Sequence, residues 1–371
     1  MTSIATPEKS PDLLVIGAGA AGLWTAWKAV NAGLTVTVME KGRVGDGASG
    51  GILGALMPHR PSQWTASKQF QLEALVNLEA EIAQLEEASG IPCGYRRCGR
   101  LMPIDSERRL EEHKGWQQAA GQNWQGANGA RWDILQGLPA QWAAMMAPAL
   151  AYDFDSLSAR VNPRALLASL AAGVRARGGA IVEGAGVSDV TALPAGHVVV
   201  AAGHDSFGLL ASAGLPGMGW GVKGEAVLLR PAKPLPPDLP ILYRGGTYVI
   251  VHDTGLVAAG STSQRDYTDA RPSAATATGL MADAASLCPA LAGAELVESW
   301  AGIRPRAAGR QPMVGPLPGN PRLITVTGGF KITLGIAHRL ADAVLAHVQG
   351  QSPDLPAGFS PAGQARQHPA T

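Results

Sequence analysis

The sequence predicts an α/β protein with a second, α+β domain built on an antiparallel sheet, and three observations support this. A short apolar run, a glycine-rich turn, a helical pattern and an alternating strand follow one another near the N-terminus. Strand patterns recur in the middle of the chain, which favours a separate antiparallel sheet. The chain of 371 residues exceeds the usual limit for one hydrophobic core. We therefore expect two domains.

The N-terminal pattern is typical of a dinucleotide-binding βαβ unit. The apolar run Leu13 to Ile16 suits a buried parallel strand. In the following Gly-x-Gly-x-x-Gly turn, Gly17 allows the tight turn, Gly19 lets the backbone approach a phosphate, and Gly22 permits close packing of strand and helix. The helix that starts there directs unpaired N–H groups at a pyrophosphate. After a second strand, Glu40 can accept hydrogen bonds from a ribose diol, so we predict a Rossmann-type domain.

A second glycine-rich loop favours FAD over NAD as the dinucleotide. It follows Glu40 directly, and an NAD site has no use for it. Its backbone is predicted to approach a second flat, polar ring system around Ala48, Ser49, Gly50 and Gly54. The Ser49 hydroxyl can also donate a hydrogen bond to a phosphate oxygen. A flexible linker is the alternative interpretation of this loop.

Further along the chain, helical and strand patterns alternate with turn signals. Helical spacing predicts helices at residues 65–89, 106–120, 162–177, 275–287 and 334–348. Strand patterns occupy residues 100–104, 180–187, 198–202, 223–230, 247–261 and 323–327. Four tryptophans lie within residues 116–142. We favour core packing over a pocket lining for Trp116, Trp124, Trp132 and Trp142. The polar, proline-rich tail beyond Gln349 is expected to be mobile.

Composition and charge exclude several classes of protein. Charged residues make up only 16% of the chain, which is not the charge excess of a disordered protein. The formal net charge is +1, so no global field favours nucleic acid, and we expect no nucleic-acid partner. No run approaches the roughly 20 apolar residues of a membrane span, and residues 1–11 lack a secretory signal. We expect a soluble, cytoplasmic protein, and the sequence leaves open whether it forms a homo-oligomer.

The three cysteines, Cys93, Cys98 and Cys288, are too few and too sparse for a disulfide framework, which fits a reducing compartment. Cys93 and Cys98 lie close in sequence, but no second pair of ligands accompanies them. We interpret them as packing residues and predict no metal site.

Three segments occur in an informative order. Residues 47–58 are Gly-Ala-Ser-Gly-Gly-Ile-Leu-Gly-Ala-Leu-Met-Pro, and residues 198–204 are Val-Val-Val-Ala-Ala-Gly-His. Residues 300–305 are Trp-Ala-Gly-Ile-Arg-Pro, followed at 311–315 by Gln-Pro-Met-Val-Gly. These segments resemble the flavin-approach loop, the strand that returns to the cofactor and the C-terminal signature of the D-amino acid oxidase superfamily of FAD-dependent oxidoreductases. The C-terminal signature resembles that of the glycine oxidase and sarcosine oxidase branch.

The resemblance implies an enzyme that oxidises a small amine or amino acid. Glycine, an N-substituted glycine or a small D-amino acid would transfer a hydride to flavin N5 and leave as an imine that hydrolyses. Oxygen or a quinone would accept the electrons. Covalent sarcosine oxidases hold the flavin through a cysteine near the C-terminus, and no cysteine follows Cys288 here, so we expect non-covalent FAD.

The resemblance also implies a discontinuous FAD-binding domain at residues 1–90, 155–216 and 296–371. The substrate domain would then comprise residues 91–154 and 217–295. In the family, a residue at the position of Val187 brings its backbone to the adenine. The residues predicted to contact FAD are Gly17, Gly19, Ala20, Ala21, Gly22, Glu40, Lys41, Ala48, Ser49, Gly50, Gly54, Leu56, Val187, Ala202, Gly203, Gly302, Arg304, Gly329, Phe330, Lys331, Ile332 and Thr333.

Three residues are candidates for the substrate end of the site. Arg304 occupies the position that holds the substrate carboxylate in the glycine oxidase branch, and a guanidinium suits bidentate carboxylate binding. A structural ion pair is the alternative for Arg304. Lys331 lies where glycine oxidases carry a basic residue close to the flavin. Tyr248 aligns loosely with a family tyrosine that contacts substrate, with His252 nearby, and a buried structural tyrosine is the alternative.

The stretch around Lys331 departs from the family pattern. It usually begins Gly-His, whereas this chain has Gly328-Gly329 and one additional residue before Gly335. The register of Lys331 relative to the flavin is therefore open from sequence.

Two further functions stay open at this level. The loop at residues 47–58 also resembles the flavin domain of a bifunctional tRNA-modifying enzyme that removes a carboxymethyl group from uridine. Near-neutral charge and the lack of a methyltransferase domain argue against that function. A flavin-binding subunit without catalysis of its own is the other alternative.

Overall fold

The computed structural model describes residues 10–367. The helices are α1 (Ala20–Asn31), α2 (Ala66–Ser89), α3 (Glu107–Asn123), α4 (Ala140–Ala143), α5 (Pro163–Ala176), α6 (Ser206–Ser212), α7 (Ala274–Leu287), α8 (Thr333–Val348) and α9 (Pro361–Gln367). The strands are β1 (Leu13–Ile16), β2 (Val36–Met39), β3 (Ala55–Leu56), β4 (Arg100–Ile104), β5 (Trp132–Leu135), β6 (Ala151–Asp155), β7 (Ala159–Arg160), β8 (Ala180–Val182), β9 (His197–Val200), β10 (Gly219–Arg230), β11 (Ile241–Arg244), β12 (Thr247–Val251), β13 (Val257–Gly260), β14 (Glu295–Ala307), β15 (Met313–Leu317) and β16 (Asn320–Thr327).

The first sheet has six strands in the order β15-β16-β9-β1-β2-β8. All neighbours are parallel except β15, which pairs antiparallel with β16 at one edge. The strand β1 is buried at every position, as its apolar run predicts for a strand covered on both faces. Helices α1, α5 and α8 share one apolar core with this sheet. The predicted Rossmann-type domain is therefore confirmed.

The second sheet has eight strands in the order β14-β10-β13-β12-β11-β4-β6-β5. Its neighbours are antiparallel except β4 and β11, which run parallel. Helix α7 packs on this sheet through a separate apolar core. The chain thus contains the predicted antiparallel sheet, with one parallel pair where β11 joins β4.

The strand β14 bears on the predicted domain boundary at residue 296. It pairs along its length with β10 in the eight-stranded sheet, whereas the prediction assigned residues 296–371 to the cofactor domain. A bridge from Arg306 to Gly329 then connects β14 to the turn after β16. The division into domains stays a prediction, and the pairing of β14 favours a boundary after this strand.

Two local expectations were wrong. Residues 186 and 187 belong to no strand, because β8 ends at Val182 on the far edge of the sheet and the chain loops back to β9. The tail beyond Gln349 is ordered as far as it is described, because the Phe359 side chain packs edge-on against Phe70, with 5.1 Å between ring centroids. An isolated apolar residue in a polar tail carries little periodic signal, which is why the sequence pattern missed it.

The tryptophans confirm the packing interpretation. Trp132 contacts Trp116 and Trp124 edge to face, with ring centroids 6.1 Å and 5.5 Å apart, and all three are buried. Trp142 stacks on Phe154 in the second apolar core.

No helix within residues 10–367 is both long enough and apolar enough to cross a membrane.

Candidate active site

A cavity of about 870 Å³ lies between the two sheets. Ile16, Met39 and Ala201 line it, so it opens at the carboxyl ends of three neighbouring parallel strands, where α/β sheets bind ligands. Every residue predicted to contact the cofactor or the substrate lines this cavity except Gly22 and Gly50. Residues far apart in sequence are therefore brought to one site.

Gly17 and Gly22 shape the end of the cavity nearest β1. Gly17 has φ +108°, a backbone conformation that favours glycine. An ideal Cβ on Gly22 would lie 2.0 Å from the Gly17 carbonyl oxygen, so a side chain there would separate α1 from the turn. Gly22 thus acts through packing, as predicted, and need not line the cavity.

The Glu40 carboxylate also organises the glycine-rich turn. Its Oε2 accepts a hydrogen bond from Ala18 N at 2.8 Å, and its Oε1 accepts one from Gly42 N at 2.9 Å. Each carboxylate oxygen can accept further bonds, so Glu40 remains able to bind a ribose hydroxyl. The acid therefore connects the turn after β1 with the loop after β2.

The second glycine-rich loop packs closely against the first. Ser49 Oγ accepts a hydrogen bond from Ala20 N at 3.0 Å, at the start of α1. Gly50 is packed against the Gly45 carbonyl, where an ideal Cβ would not fit, and its own carbonyl accepts a bond from Arg164. This explains why Gly50 lies behind the cavity wall. The loop is held against α1, which contradicts the flexible-linker alternative.

Two buried polar side chains brace residues 52–59 of this loop. Sequence reasoning missed Gln71 and noted His252 only as a neighbour of Tyr248. The Gln71 amide accepts a bond from His59 N at 2.8 Å and donates one to the Met57 carbonyl at 3.1 Å. His252 Nε2 donates to the Ile52 carbonyl at 2.8 Å. Burial lowers the pKa of His252, which favours the neutral ring. A lone glutamine in an apolar helix face is the signal that could have indicated Gln71.

The far end of the cavity is lined by Val187, Ala202 and Gly203, together with Lys41. The Lys41 ammonium forms an ion pair with Asp205 at the surface of this end. Val187 lies in a loop and lines this end of the cavity, where the resemblance implies a backbone contact with the adenine.

Arg304 and Tyr248 line the opposite end. Arg304 Nη1 donates to the Thr262 carbonyl at 3.1 Å, and no acid within residues 10–367 lies within ion-pair distance of the guanidinium. This geometry contradicts the structural ion pair considered for Arg304. Burial lowers the pKa of Arg304 and raises that of Tyr248 to about 12, with nearby Tyr243 adding to the effect. Tyr248 is thus a neutral hydrogen-bond donor beside an unpaired cation.

Lys331 lies at the edge of the same cavity, after Phe330. Desolvation, followed by the charges of Arg304 and Arg306, lowers the pKa of Lys331 to about 8. Phe330 has φ +50°, and its N–H bonds the Pro305 carbonyl at 3.0 Å, which holds the turn against β14. Lys331 is exposed at this edge, and it lines the same cavity as Arg304.

Residues 12–343 match the family described as DAO, FAD dependent oxidoreductase. The chain belongs to this family. Among its relatives, the glycine oxidase of Geobacillus kaustophilus is 27% identical over 339 residues, covering 86% of this chain and 88% of the relative. The glycine oxidase of Pseudomonas aeruginosa is 29% identical over 381 residues, covering 96% of this chain and 100% of the relative.

A solved structure gives the same result for the fold. The crystal structure of glycine oxidase from Geobacillus kaustophilus matches with a TM-score of 0.82 at 24% identity, covering 93% of this chain and 96% of that one. The predicted superfamily, its glycine oxidase branch and FAD as cofactor are confirmed. The protein is an FAD-dependent oxidoreductase of amines or amino acids.

The cavity of this oxidoreductase fits FAD by its own chemistry. Gly19, before α1, has no side chain to cap the helix, so N–H groups beyond Ala20 remain available to a pyrophosphate. The Thr333 hydroxyl is buried in the cavity wall without a hydrogen-bond partner among the described residues. Glu40 and the first turn of α1 would hold the dinucleotide, and the start of α8 would face the flavin end.

We predict that Gly22→Ala in this oxidoreductase abolishes FAD binding. The added methyl group collides with the Gly17 carbonyl and displaces the N-terminus of α1. Flavin absorbance per protein after purification measures the effect. Gly115→Ala is the matched control, because this exposed glycine of α3 has open space at its Cβ position. Full flavin content in Gly22→Ala would contradict the packing role.

Proposed function

We propose that this oxidoreductase acts on glycine, an N-substituted glycine or a small D-amino acid, and that the product is an imine which water hydrolyses. FAD, when bound, supplies the redox chemistry by accepting a hydride from the carbon beside the substrate nitrogen. The observation that carries the proposal is the Arg304 guanidinium, which lines the cavity without an acidic partner among the described residues. The glycine oxidases among the relatives support the same substrate class.

Arg304 can bind a substrate carboxylate for two reasons. Among residues 10–367, its guanidinium bonds only the Thr262 carbonyl, so most of its donors are available to a ligand. Arg304 is also desolvated, and charge interactions are stronger away from water. A bidentate bond would fix the orientation of the acid and hence the carbon that reacts.

Tyr248 supports the same orientation of the substrate. Its raised pKa of about 12 keeps the hydroxyl protonated at neutral pH, so it donates a hydrogen bond. The ring is held against Tyr243, with 4.9 Å between centroids, on the neighbouring strand β11. A donor at this position next to Arg304 favours an anionic ligand.

The test is an anaerobic absorbance spectrum of the purified protein with glycine, sarcosine, D-alanine, D-proline or iminodiacetate. We expect one or more of these amines to bleach the flavin bands, and readmitting oxygen or adding a quinone then identifies the acceptor. Bound flavin that no amine reduces would contradict the proposed substrates. It would instead favour a modified uridine or a non-catalytic subunit.

We predict that Arg304→Ala retains FAD and loses affinity for carboxylate substrates. The expected rise in KM corresponds to about 3 kcal/mol or less, the range for a hydrogen bond to a charged group. Steady-state kinetics with the best amine of the panel measures it. Arg230→Ala is the control, because this arginine is exposed and pairs with Glu295 at the far end of β10. Equal KM values in both variants would remove Arg304 from the site.

We also predict that affinity for a simple anion falls as the pH rises through about 8. Lys331 has its pKa lowered to about 8, so its ammonium is charged below that pH and neutral above it. Titration of acetate against the bound flavin spectrum between pH 6 and 10 measures this, since acetate itself does not titrate there. In Lys331→Met the affinity should be weaker and independent of pH. A decline that persists in this variant would assign it to another group.

A further inference from the structure

The Arg304 side chain lies directly over a glycine of the neighbouring strand. In the pairing of β10 with β14, Val222 is opposite Arg304 and Gly224 is opposite Gly302. An ideal Cβ on Gly224 would lie 1.6 Å from Arg304 Nη1, 2.0 Å from Cζ and 2.2 Å from Nη2. The guanidinium therefore occupies the space that a side chain at position 224 would fill.

The reason for glycine here is space rather than backbone conformation. Gly224 is not among the residues with positive φ, so other residues can adopt its backbone angles. Its neighbours Lys223 and Glu225 are buried and form an ion pair of 3.0 Å. Since side chains alternate along a strand, that pair lies on the opposite face from Gly224. The three heavy atoms nearest to a Cβ at Gly224 all belong to the Arg304 guanidinium.

The other contact of Arg304 is fixed from the same strand. The Thr262 carbonyl accepts the Arg304 Nη1 bond, and Thr262 is itself held by Glu225. Glu225 N donates to Thr262 Oγ1 at 2.9 Å, and Thr262 N donates to the Glu225 carbonyl at 3.2 Å. The strand β10 thus supplies both the floor beneath the guanidinium and the support for its hydrogen-bond acceptor.

We propose that Gly224 is a positioning residue for substrate, because its missing side chain sets how far the Arg304 guanidinium extends into the cavity. The inference rests on the proposed function, in which Arg304 binds a carboxylate. Ordinary van der Waals contact begins at 3.4 Å, so a methyl group at position 224 forces the guanidinium to move by about 2 Å. A displacement of this size moves the bound substrate carboxylate out of the position needed for reaction.

A double-mutant cycle tests this role. Wild type, Gly224→Ala, Arg304→Ala and the double variant are compared for acetate affinity, read from the bound flavin spectrum. KM and kcat are measured for a carboxylate amine and for a simple alkylamine. Gly221→Ala is the matched control, because it adds a methyl group to the same strand at a similarly tight position, 2.5 Å from Ile303 Cγ2 and away from the Arg304 guanidinium.

We expect Gly224→Ala to weaken acetate binding and to raise KM for the carboxylate amine at least about tenfold, as a displaced group does. KM for the alkylamine and acetate binding in Gly221→Ala should remain close to wild type. Adding Gly224→Ala to Arg304→Ala should not weaken acetate binding further, because the methyl group then meets no guanidinium. If Gly224→Ala fails to fold while the double variant folds and binds FAD, the clash with Arg304 is supported directly.

Several results would overturn the role of Gly224. These are wild-type acetate affinity in Gly224→Ala, a comparable loss in Gly221→Ala, additive losses in the double variant, or failure of both Gly224 variants to fold. A different result, wild-type acetate affinity in Arg304→Ala, would overturn the carboxylate-binding function of Arg304 and with it this inference. The two failures are therefore distinguishable.

Discussion

The close approach of three backbone segments at Gly17 is the constraint on which the rest of the molecule depends. The Gly17 carbonyl lies where a side chain of Gly22 would be, and Gly17 itself lies against the Ala201 carbonyl at the end of β9. Strand β1, helix α1 and strand β9 can converge only because these positions carry no Cβ. The N-terminus of α1 then points into the cavity, and Glu40 and Ser49 are close enough to bond its first residues.

The cavity is chemically divided between its two ends. Around the glycine-rich turn, the wall combines backbone, small residues and the Glu40 carboxylate, which suits a dinucleotide bound through its phosphates and ribose. At the other end, Arg304 and Lys331 supply positive charge that no described acid neutralises by an ion pair. A protein with a net charge of only +1 thus concentrates its attraction for an anion in one location.

Buried polar side chains hold the wall between these two ends. Gln71 from α2 and His252 from the turn after β12 each bond a carbonyl of the segment that follows the second glycine-rich loop. One side chain comes from a helix and the other from a turn of the second sheet, and both bond the backbone between residues 52 and 57. These two hydrogen bonds brace the wall between the glycine-rich turn and the end of the cavity that Arg304 lines.

The sequence by itself determined the parallel sheet, the glycine turn with Glu40, the class of cofactor and the second glycine-rich loop of the cavity wall, because these depend on local patterns. It also indicated Arg304 and Lys331, but only through a resemblance. The tertiary structure alone decided that Phe359 packs on Phe70, that β14 joins the second sheet, and that Gly224 lies beneath Arg304. A glycine inside a predicted strand signals a close approach without naming the partner, since the partner comes from a strand many residues away.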